Sequence, residues 1–85
     1  MIATPGRIVH YVLPGGPNKG AHRPAMVVHR WSPEPGSSLQ LQVFTDSDRE
    51  GKYNDQIANP LWATSVMEDP TGEKPGSWHW PERED

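Results

Sequence analysis

Apolar and polar positions alternate with period two along much of this chain, and each alternating run stops at a cluster of proline or glycine. Arg7 to Leu13 is β-branched and aromatic, and Pro14-Gly15-Gly16-Pro17 ends it. A polar loop leads to Pro24, which opens a second run from Ala25 to Trp31, closed by Ser32-Pro33-Glu34-Pro35-Gly36. The third run, Leu39 to Phe44, puts Leu39, Leu41 and Val43 on one face and Gln40 and Gln42 on the other. Such alternation marks a strand with one solvated face. In the fourth run, Leu61 to Met67, the same rule sets Trp62, Thr64 and Val66 against Leu61, Ala63, Ser65 and Met67. The fifth, Ser77 to Trp80, sets Trp78 and Trp80 against His79 and stops at Pro81. Only Tyr53 to Ala58 could form a helical turn, and Pro60 blocks its extension.

Five short strands in one 85-residue chain predict an all-β fold with little or no helix: a small five-stranded antiparallel, SH3-like barrel or strongly bent sheet. Residues 1–81 read as a single domain and 82–85 as a charged, frayed tail. The composition agrees. Ten prolines and eight glycines are too many for long helices, and in loops they restrict the unfolded chain. So small a domain buries only about 60–65% of its unfolded surface, and four tryptophans offset this, each burying on the order of 200 Å².

Other classes are excluded. No cysteine is present, so disulfide frameworks and thiolate zinc sites are ruled out. The longest apolar run, Ala25-Met26-Val27-Val28, is far short of the roughly 20 residues that span a bilayer. The opening residues lack a basic segment followed by an apolar stretch, which reads as no signal peptide and leads us to expect a cytoplasmic protein.

The formal charge of −3 averages two unlike segments. Residues 1–33 hold Arg7, Lys19, Arg23 and Arg30 with no acid, whereas the other 52 residues carry four bases against all eleven acids. A basic segment of this kind points to an anionic partner. The net negative charge argues against duplex DNA, which demands many phosphate contacts, and leaves a small anion. Flat rings beside cations suit a nucleobase with phosphates. The candidate binding residues are therefore Lys19, Arg23 and Arg30 for phosphates, with Tyr11, Trp62, Trp78 or Trp80 for stacking. His10, His22 or His79 would add hydrogen bonds. An 85-residue monomer cannot enclose a ligand well, so a homo-oligomer is expected.

Catalytic and metal signals are weak along the chain. The four histidines, His10, His22, His29 and His79, show no HxH or HExxH spacing, so no metal or cofactor is assigned. Asp46 to Gly51 partly matches the start of an EF-hand loop, but Ile57 stands where its closing glutamate belongs and the flanking helices are lacking, so it reads as a loop. Serines and threonines occur without a nucleophile elbow, and no enzyme is expected.

The blocks Gly6-Arg7-Ile8-Val9-His10-Tyr11-Val12-Leu13, Arg23-Pro24-Ala25-Met26-Val27-Val28, Gln42-Val43-Phe44-Thr45-Asp46, Leu61-Trp62-Ala63-Thr64-Ser65-Val66 and Pro75-Gly76-Ser77-Trp78-His79-Trp80-Pro81-Glu82 span nearly the whole chain. Through them the sequence resembles a family of small bacteriophage and prophage proteins of uncharacterised activity. Members often carry a longer insertion where Pro14 to His22 is short here. The resemblance implies a phage protein acting inside the bacterial host. Counter-defence proteins of this class include sponges that sequester cyclic oligonucleotide or cyclic ADP-ribose signals without cleaving them. That activity is the leading expectation, with no duplex nucleic acid and no membrane as partner. The alternative is an interaction module, either a virion accessory protein or an inhibitor of a host protein, using exposed tryptophans as anchors.

Overall fold

In a computed structural model of the chain, residues 2–15, 18–34, 36–45 and 61–81 are described. The Tyr53–Ala58 turn, the Asp46–Gly51 loop and the 82–85 tail lie outside them. The strands are β1 (Ile8–Val12), β2 (His22–Arg30), β3 (Leu39–Val43), β4 (Leu61–Val66) and β5 (Trp78–His79). Among the described residues there is no helix, and so none that could cross a membrane. All four strand pairings are antiparallel, in the order β4-β3-β2-β1-β5. The sheet curls into a half-barrel, as the expected small all-β fold requires. Past β4 the chain turns along the far side of β5: the Trp78 amide donates to Met67 O (3.0 Å), and the Asp69 amide donates to Trp78 O (2.9 Å).

The alternation explains the core. Val9, Tyr11, Ala25, Val27, Leu39, Leu41, Val43 and Trp78 point inward and are buried. The β3 pattern is as predicted, with its three apolar side chains buried and both glutamines half-buried. Trp78 is the largest fully buried side chain. Its indole N–H donates to Ser37 O at 3.2 Å, which satisfies the one polar atom that its burial would otherwise strand.

Two irregularities depart from simple alternation. In β2 the register against β3 shifts between Val27 and His29, so Val28 and His29 are both exposed and Arg30 returns to the inner side opposite Leu39. In β4, Leu39 pairs with Val66 while Leu41 pairs with Ala63. The extra residue is absorbed at Ser65, whose φ of 51° is the one positive value at a described residue other than glycine. The period-two reading placed Val66 beside Trp62 and Thr64. The bulge reverses its phase, and Val66 is buried with Ala63.

β2 also begins earlier than expected, at His22, and runs through Pro24. Pro24 has no N–H to give, but its carbonyl accepts from the Phe44 amide at 2.9 Å. The β2–β3 register therefore starts one step further on, at Ala25 and Val43.

Candidate functional site

The outer face of the sheet has two unlike regions. The first is apolar and open. In-register pairing carries one row across four strands, Ile8 to Met26, Met26 to Gln42 and Gln42 to Trp62. Ile8, Met26 and Trp62 are 42, 40 and 46% exposed, and Val28 and Phe44 are exposed to a similar degree. A solvated sheet face is ordinarily polar. Here the outward strand residues of β1 to β4 include no Lys, Arg, Asp or Glu.

The second region is a histidine cluster under a roof. His10 on β1 lies directly opposite His79 on β5. His22 on β2 faces Val12, one side-chain step along β1 from His10. All three imidazoles rise from the outer face because their strand neighbours face the core. The His22 and His79 ring centroids are 4.6 Å apart, and those of His10 and His79 5.7 Å, both pairs edge-on. One ring nitrogen from each residue lies within 4.8 Å of the other two.

The roof is the connection from β4 to β5. The Asp69 carboxylate shapes it, accepting from Thr71 Oγ1 (2.7 Å), Thr71 N (3.1 Å), Glu73 N (3.3 Å) and Lys74 N (2.9 Å). The Thr71 hydroxyl first, then the Lys74 amide, hold the Asp69 carboxyl below the usual carboxylate range. The loop presents Gly72 to the cluster, and His22 Nε2 lies 2.8 Å from Gly72 O. A carbonyl only accepts, so Nε2 is the donor in this bond. Gly72 has φ +72°, and a Cβ there would meet His22 Cε1 and His79 Cε1 at 3.2 Å. Under this roof His79 is buried, whereas His10 is half-buried and His22 is exposed.

The residues singled out in the sequence are dispersed. Tyr11 and Trp78 belong to the core, and burial pushes the Tyr11 hydroxyl pKa up. Trp80 is half-buried and edge-on to Trp78, at 5.8 Å between centroids. Lys19 is exposed in the loop between β1 and β2. Arg23 is half-buried and donates from Nη1 to His22 O at 3.2 Å. Arg30 is half-buried at the other end of β2, and its Nη1 is buried without a hydrogen-bond partner. Trp62 stands on β4, two strands away from β2. Among the candidate binding residues, Tyr11 pairs in register with Arg23 and Trp78, and the three histidines His10, His22 and His79 meet on the outer face. Sequence spacing suggested no metal ligands because it tests neighbours along one element. These three histidines come from three strands.

The fold and face define a small all-β, barrel-like module with an uncharged apolar surface beside a roofed tri-histidine cluster. Comparison with protein-family models, with curated proteins and with solved structures finds no match for this chain.

Proposed function

We propose that this protein is a non-enzymatic interaction module whose contact surface is the open half of the outer sheet face. The observation that carries the reading is the row Ile8–Met26–Gln42–Trp62 with Val28 and Phe44, whose apolar members are all at least 40% exposed on one face. A cluster of exposed apolar side chains on one face marks an interaction site, and tryptophan is among the residue types most enriched as interface anchors. The occupant is a second copy of the same chain. A two-fold contact sets a patch against itself, and like charges placed opposite one another oppose association. A face without charged side chains meets that condition. Sedimentation equilibrium from low micromolar to near-millimolar protein tests this. A dimer that Trp62→Asp converts to monomer supports the reading. A native chain that stays monomeric throughout retires it.

A second reading keeps the nucleotide ligand, on one specific observation. Lys19, His22 and Arg23 lie together where the β1–β2 loop enters β2, giving cations and imidazole at one end of the hairpin. In this reading the protein is a phage counter-defence sponge that holds a cyclic oligonucleotide or a cyclic ADP-ribose derivative at that end. Among the described residues no ligand-sized cavity opens, so the ligand would be enclosed between copies. Calorimetric titration with a panel of these nucleotides decides it, and absence of binding tighter than millimolar rejects it.

A further inference from the structure

The strands bring three imidazoles together from positions that no linear motif relates, and that convergence is chemistry the interaction face does not use. We propose that His10, His22 and His79 bind one divalent transition-metal ion through one ring nitrogen each, with a remaining coordination position open to solvent.

Four features support the site. The first is geometry: the three nitrogens already lie within 4.8 Å of one another. Tetrahedral zinc holds nitrogens at about 2.0–2.1 Å, which places them about 3.3 Å apart. Loading therefore requires an inward movement of no more than about 1.5 Å, within reach of small ring rotations. His79 is buried and supplies the fixed point; His10 and His22 are more exposed and can close on it.

The second feature is the outer partner of a ligand. Metal-bound imidazoles almost always donate their other N–H to a carbonyl or carboxylate, which fixes ring orientation and tautomer. His22 already makes this bond, from Nε2 to Gly72 O at 2.8 Å.

Third, the donor set selects the class of metal. Three imidazoles without a thiolate or carboxylate suit zinc, cobalt, nickel or copper. Calcium and magnesium prefer oxygen ligands and are poorly served here.

The fourth is access. The roof covers one side of the cluster with Gly72, where no side chain fits without meeting the His22 and His79 rings. The exposed His22 and half-buried His10 leave the other side open to solvent. Three protein ligands with a free position is the arrangement of open zinc sites rather than of closed structural ones.

The test uses the full chain, stripped with chelator and titrated with Co²⁺ while its visible d–d absorption is recorded. The expected result is one Co²⁺ per chain with the intense spectrum of tetrahedral coordination, displaced by Zn²⁺. Affinity should fall as pH is lowered, because protons compete with the metal for the ring nitrogens. His10→Gln and His22→Gln should each weaken binding by roughly a hundredfold or more, since even a lost outer partner costs 10–100-fold. His29→Gln is the control, because His29 packs edge-on against Trp31 at 4.5 Å, away from the cluster. Circular dichroism confirms that the variants remain folded, and Zn²⁺ should raise the melting temperature of the native chain but not of the two ligand variants. Absence of saturable one-to-one binding would overturn the site. So would native-like binding by His10→Gln or by His22→Gln in folded protein.

Discussion

His22 donates its Nε2 proton to the carbonyl oxygen of Gly72 across 2.8 Å, joining positions fifty residues apart in the chain. The bond ties the start of β2 to the loop between β4 and β5. It also divides the outer face into a roofed histidine cluster and an open apolar surface. The Gly72 backbone both accepts the bond and leaves the space that the rings occupy.

Replacing Gly72 with alanine tests that packing. The residue would have to hold φ +72° with a Cβ 3.2 Å from two imidazole carbons. A left-handed conformation costs a residue other than glycine on the order of 1–3 kcal/mol, and the crowding adds to it. Gly20→Ala shares the positive φ but meets nothing within 4 Å. Urea denaturation should find Gly72→Ala the more destabilised of the two. Equal losses would mean that the rings do not need the space.

Acid should open the roof through Asp69. Its pKa is lowered in the folded state by the Thr71 hydroxyl and by backbone amides. A group of this sign contributes stability that is present above the unfolded carboxylate pKa and lost as pH falls through the folded value. Denaturant midpoints measured from neutral to strongly acid pH should therefore fall more steeply for the native chain than for Asp69→Asn. The variant should also be less stable at neutral pH, because its amide replaces one acceptor oxygen with a donor. Parallel pH profiles for the two proteins would show that the carboxylate does not hold the loop.

Ser65 is a site where the fold carries strain. Its φ of 51° lies in the left-handed region, at the bulge that turns Val66 inward. Ser65→Gly should relieve about 1 kcal/mol of this strain, partly offset by the greater freedom of the unfolded chain. A melting temperature unchanged or slightly raised is expected. A large fall would mean that the serine side chain itself holds the bulge.

These sites also mark where the sequence was legible. β3 could be read directly because Leu39, Leu41 and Val43 alternate with two glutamines, and the observed burial follows that pattern. β4 could be read only as far as Thr64. A backbone turn at Ser65, invisible to hydropathy, reversed the phase after it. For the histidines, parity alone sets His79 opposite the flanking tryptophans and His10 opposite Val9 and Tyr11. Their meeting depended on β5 pairing with β1 rather than with β4, a long-range choice that no local spacing encodes. Trp78 and Tyr11 read as ring surfaces for a ligand, but a chain this small uses them to build its core.

The interaction face is tested most directly by methionine oxidation at low and high protein concentration. Met26 stands in the apolar row at 40% exposure, and Met67 is 60% exposed beyond the end of β4, so Met67 serves as an internal reference. Met26 oxidation should slow several-fold as concentration rises while Met67 oxidation stays constant, and Trp62→Asp should abolish the difference. Met26 and Met67 reacting at concentration-independent rates, or Met67 alone becoming protected, would contradict it.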